Sequence, residues 1–209
     1  MKRFVTISSM TVVAAILVLL ALSALLPTAL PVRVVQAAGD HVRWDIQSFN
    51  AATTPPTSSP GGFAIASARN PSTLSITLTG SGTFVGPASG GTSGGVKGGG
   101  TWETFDGTTS TGKGTYEVTS LVSWTFSNFQ TTGVLNDLID DGAAANGVAV
   151  LRIRYSDGSE GVLNIGCHGP GAPAGTLEGV IASKDHVTYW DGQAPVGGVD
   201  ANRTVFHVM

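Results

Sequence analysis

The stretch Asn164-Ile165-Gly166-Cys167-His168-Gly169-Pro170-Gly171 holds the only cysteine of this 209-residue chain, with a histidine beside it. A thiol with a histidine base can be a nucleophile, and a Cys and a His can share a zinc ion. Alternation argues against both. Cys167 shares a face with Leu163 and Ile165, and neighbours in a strand point to opposite faces, so His168 looks away from the thiol. Free cysteine is also among the most buried residue types. The expectation is a buried, structural Cys167. Zinc wants three or four ligands at characteristic spacing, and no second Cys exists, so neither a metal site nor a cofactor is expected.

Other groups capable of chemistry are sparse. His41 and His207 sit near the two ends of the domain and would approach each other if the first and last strands pair; the plainer reading is two rim histidines. The charged residues inside predicted strands are Arg43, Asp45, Glu103, Glu117, Arg152, Arg154 and Glu178. Their default place is the solvated face of an antiparallel sheet. A carboxylate such as Glu117 turned inward beside an arginine would instead be a candidate acid–base pair. The candidates for lining a ligand pocket are Trp102, Tyr116, Val122 and Trp124; the same aromatics could equally fill a solid core. Gly86–Gly100 is glycine-rich but lacks the Lys-Ser/Thr ending of a phosphate loop. Asn202-Arg203-Thr204 matches a glycosylation acceptor.

The elements that must position these groups read as strands. Val42, Trp44 and Ile46 alternate with His41, Arg43 and Asp45, which is a period of two. Asn50–Gly62, with three prolines, reads as a loop. Thr73–Val85 alternates and is interrupted by Gly80-Ser81-Gly82, where a bulge or sharp bend is expected. Thr101–Phe105 is a short strand ended by Asp106-Gly107. In Gly114–Phe126, Tyr116, Val118, Val122, Trp124 and Phe126 share one face, with Leu121 the exception. Gly147–Tyr155, Gly161–Cys167, Thr176–Ser183, Val187–Trp190 and Arg203–Val208 complete the set. Thr132–Asp141 is the one helix candidate, with Val134, Leu135, Leu138 and Ile139 as its stripe. The implied fold is all-β: an antiparallel meander of eight or nine strands closed into a β-barrel, with at most one short helix.

Two segments, Thr79-Gly80-Ser81-Gly82-Thr83-Phe84 and Thr111-Gly112-Lys113-Gly114-Thr115-Tyr116, resemble the Gly-x-Gly-Thr-aromatic strand openings of dirigent and allene oxide cyclase-like barrels. That resemblance implies an exported barrel that binds apolar small molecules, and it carries over no catalytic residue. Cys167 through Thr204 is similar to uncharacterised secreted bacterial proteins.

The N-terminus agrees with export. Lys2 and Arg3 precede an apolar stretch densest from Val12 to Leu26, followed by Pro27, Pro31 and Val35-Gln36-Ala37, a small-residue cleavage site. Residues 1–37 are the expected signal peptide and 38–209 a single domain; the apolar stretch is also long enough for an anchor. Removing 37 residues leaves 172, and with Lys2, Arg3 and Arg33 gone the net charge of −3 becomes −6. An acidic domain with scattered Lys and Arg excludes nucleic acid as a partner and suits no anionic membrane surface. The expected function is an exported β-barrel, secreted or extracytoplasmic, that binds a small apolar ligand. A cyclase- or isomerase-type enzyme and an extracellular surface interaction protein are the alternatives.

Overall fold

The alternating segments form strands throughout, and no α-helix occurs among the described residues of this computed structural model, which are 39–86, 95–139, 141–192 and 202–209. The expected signal peptide lies outside them. Ala38–Met209 is one compact unit. In chain order the strands are β1 (Asp40–Asn50), β2 (Thr57–Pro60), β3 (Ala64–Ser67), β4 (Leu74–Leu78), β5 (Ser81–Gly86), β6 (Val96–Asp106) and β7 (Thr109–Phe129). They continue as β8 (Asn136–Asp137), β9 (Ala143–Tyr155), β10 (Glu160–Cys167), β11 (Gly179–Lys184), β12 (Val187–Tyr189), β13 (Asp191–Gly192) and β14 (Arg203–Val208).

Six of them close an antiparallel barrel in the order β1–β5–β6–β7–β9–β14 and back to β1. The first and last strands therefore do pair. The other strands branch from the ring at three forks, one of them on β1, which pairs β5 at Asp40–Asp45 and β2 at Gln47–Asn50. β7 occupies one edge of β9, while the opposite edge pairs β14 at Ala143–Ala145 and β10 at Gly147–Arg154. β6 does the same with β5 at Val96–Gly99 and β4 at Trp102–Asp106. The pairs Leu78↔Trp102 and Ser81↔Gly99 keep one register, so the glycine interruption is a bend rather than an inserted residue. Gly80, at φ +151°, supplies the bend, and its carbonyl accepts the Ile46 N–H at 2.9 Å.

Glycine also makes room for the indoles. A Cβ at Gly82 would lie 2.8 Å from the Trp44 ring, at Gly147 2.7 Å from Trp124, and at Gly114 3.1 Å from Trp102. Each tryptophan thus lies on bare backbone of a neighbouring strand. This close packing explains part of the glycine content of a chain that is almost all strand.

Three local expectations change. Thr132–Asp141 is not a helix: Gly133 takes φ +79°, and Asn136 and Leu138 donate their N–H groups to Pro56 and Ser58 carbonyls, which pairs β8 parallel with β2. Val134 and Leu138 are exposed, so the apolar stripe is not buried as a unit. β2 itself falls inside the expected Asn50–Gly62 loop, and β6 begins inside the expected Gly86–Gly100 turn.

Candidate functional site

The four predicted pocket residues separate into core and surface. Trp102 and Tyr116 are buried, with ring centroids 5.6 and 6.4 Å from Tyr155. Their polar tips are satisfied by backbone: Trp102 Nε1–H donates to Thr115 O at 3.1 Å, and the Tyr116 hydroxyl to Thr79 O at 2.8 Å. Trp124 packs against Phe206 (4.5 Å) and Phe84 (5.4 Å). Trp102 and Tyr116 fill the interior against other aromatics, and Trp124 packs half-buried against that core. Val122 is a correction: it is 45% exposed. The β7–β9 register shifts between Val118 and Ser120 and again between Leu121 and Ser123. Each shift inserts a residue, so Leu121 turns inward opposite Leu151 and Val122 turns out. Trp190 is likewise exposed.

The remaining candidates are accounted for by packing. Cys167 is buried, and burial pushes its thiol pKa well above the ordinary range. Gln130 Nε2 donates to its sulfur at 3.3 Å, while His168 Nδ1 lies 3.0 Å from Thr176 O, facing elsewhere. The Glu117–Arg154 pair, at 3.4 Å, is on the exposed face. His41 is exposed, whereas His207 is fully buried with Nε2 2.6 Å from Asp137 Oδ2. Asn202 is buried, and its Oδ1 accepts the Ile65 N–H, which removes it as a glycosylation acceptor.

A polar site forms instead at the β9 fork, where β14 and β10 part. Ladder bonding cannot span the gap, so side chains do. Thr204 Oγ1 donates to Gly166 O across the fork. Glu178, one residue ahead of β11, accepts the Thr204 N–H on Oε1 at 3.0 Å and the His168 N–H on Oε2. Gln47 Nε2 donates to Thr204 O at 3.0 Å from the β1 side. In front of this floor lies a cleft of about 300 Å³, lined by Glu178, Gln47, Asp137 and Arg203 together with Phe129, Leu135 and Val205. Gln130–Gly133, Leu135 and Asp137 form one wall, tied down by Asp137–His207; Asp141 lies 3.1 Å from Arg43 Nη1.

Burial pushes the Glu178 pKa up to about 7, outweighing the two backbone N–H donors and the nearby charges of Arg203 and His168. The site thus offers a carboxyl group poised near neutrality at the back of a half-apolar cleft. Glu178 read in sequence as an ordinary strand charge; its only signal was a lone acid among Thr176, Leu177, Gly179 and Val180. Asp137 and His207 are too far apart in the chain for spacing to pair them.

Among the described residues no group of three or more His, Cys, Asp or Glu could hold a metal ion, and no helix is long and apolar enough to cross a membrane. Comparison with protein-family models, with curated protein sequences and with solved structures gives no match to this chain.

Proposed function

We propose that this is an exported β-barrel protein that binds a small apolar molecule, and that the ligand sits in the cleft at the β9 fork rather than inside the barrel. The cleft carries the reading: about 300 Å³, at the lower end of small-molecule sites, with an apolar rim and a few convergent polar groups. Phe129 at the rim is 53% exposed and stacks edge-on with exposed Phe126 at 5.0 Å. An aromatic pair left in water beside a cleft is a surface that a ligand would cover. Export rests on Lys2, Arg3, the apolar stretch and Val35-Gln36-Ala37. The Gly-Thr-aromatic segments around Phe84 and Tyr116 support a barrel of the dirigent or allene oxide cyclase-like kind.

Native mass spectrometry of protein purified from its own host tests the proposal. The expected result is a retained lipophilic mass whose removal and return shift the NMR signals of Phe129 and Leu135. Repeated preparations without bound mass would count against ligand binding. Shifts confined to Trp102, Tyr116 and Trp124 would move the site back to the interior.

One observation favours a second reading, an isomerase-type enzyme: a carboxyl that titrates near neutrality can both take and return a proton. Turnover of the retained ligand that disappears in Glu178→Gln would establish it.

A further inference from the structure

We infer that the cleft selects an amphipathic amine, its ammonium head on Glu178 and its apolar body against Phe129 and Leu135; this rests on the cleft reading above. Glu178 is the group that decides the ligand's head. An ionised carboxylate offers about four acceptor positions. Among the described residues two are filled, by the N–H groups of Thr204 and His168. Among the described residues, no Lys or Arg forms an ion pair with it. The carboxylate therefore sits desolvated, with acceptor capacity left over, on a cleft with room for a ligand. A hydroxyl brings one donor and no charge. An ammonium brings three donors and a positive charge in direct contact, beyond the longer-range charges of Arg203 and His168, so it gains most from this partner.

The surroundings allow it. Arg203, on β14, is the cation of the cleft, and its guanidinium lies over the Phe49 ring at 4.8 Å. His168, after β10, faces Glu178 through its backbone, and its ring turns to Thr176 O. Asp137, on β8, is held by His207, and Cys167 lies beneath as a neutral thiol. The domain's net charge of −6 after loss of residues 1–37 also attracts a cation from solution.

Two probes of one shape test the head group: phenethylamine, charged across pH 6–8, and 2-phenylethanol, neutral across it. Binding is followed by NMR shifts at Phe129 and Leu135. The amine is expected to bind at least tenfold more tightly at pH 8. Its affinity should rise by up to about tenfold from pH 6 to 8 as Glu178 ionises, while the alcohol's stays flat. Glu178→Gln, checked for folding by circular dichroism, should abolish both the preference and the slope; the wild-type pH arm stands without that variant. Phe129→Ser should weaken both probes alike. An alcohol that binds as well as the amine, or an amine affinity independent of pH, overturns the ammonium assignment and leaves the cleft standing. Absence of shifts with either probe overturns the cleft itself.

Discussion

Lys184 and Glu178 are both charges drawn into the protein, and they are handled in opposite ways. Lys184 Nζ has all three donors engaged, to Asp157 (2.5 Å), Ser159 (2.9 Å) and Asp185 (3.1 Å), and stands 4.5 Å from the Trp102 ring centroid and 5.1 Å from that of Tyr155. Burial opposes its charge, but the bonds to Asp157 and Asp185 outweigh burial and hold its pKa up. Glu178 has two backbone N–H donors, and burial wins. A saturated charge is a closed structural clamp. A partly saturated one keeps capacity for something outside the chain.

The largest expected effect sharpens the Glu178 side. Its folded pKa, about 7, lies above the ordinary 4.5. The stability tied to the neutral form is therefore complete below pH 4.5 and is lost as pH rises through 7, on the order of 3 kcal/mol in all. Glu178→Gln should flatten that slope. It should cost about 1 kcal/mol at pH 5, where one hydrogen bond is lost, and raise stability at pH 8. Denaturant titrations at the two pH values check it, and a variant less stable at both would sink the account.

Lys184→Met comes next. It removes a desolvated cation from two aromatic faces and should cost about 2 kcal/mol, with cleft binding intact. The cost is moderated because Asp157 and Asp185 are half-exposed and water replaces the lost partner. A negligible loss would mean the clamp is not structural.

A third, smaller effect has the opposite pH sense. The hydrogen bond from Lys184 holds the Asp157 carboxyl down to about 2, below its ordinary 3.8. Its contribution is present above pH 3.8 and fades as pH falls toward 2. In Lys184→Met the titration of the Asp157 carboxyl resonance should move up toward its ordinary value, with the Ser159 hydrogen bonds still holding it somewhat below. The smallest effect belongs to neither site: Val122→Ser should change stability by less than about 0.5 kcal/mol, since the residue faces water.

Much of the barrel was legible because period-two patterning survives in most segments. Val42, Trp44 and Ile46 turned inward as alternation required, and so did Leu163, Ile165 and Cys167. Tyr116 and Val118 did too, but three residues later the rule failed. A bulge inserts one residue and inverts the faces beyond it until a second bulge restores them, so Leu121 turns in, Val122 turns out and Trp124 turns in again. Leu121, the exception to the alternation, marked the place. Thr132–Asp141 failed for a related reason. Its apolar spacing fits a helix, yet hydrogen bonds to Pro56 and Ser58, distant in the chain, outcompete a three-turn helix.

The amino-acid order alone determined that this chain would form antiparallel strands with a greasy inner side and a buried thiol, because those follow from neighbours one and two residues apart. Tertiary structure alone decided that β9 would carry two partners on one edge. That fork brings Thr204, His168 and Glu178 together from separate stretches of chain. A backbone that diverges must have its N–H groups met by a side chain, and where that side chain is a carboxylate beside an open cleft, a structural repair becomes a place to bind.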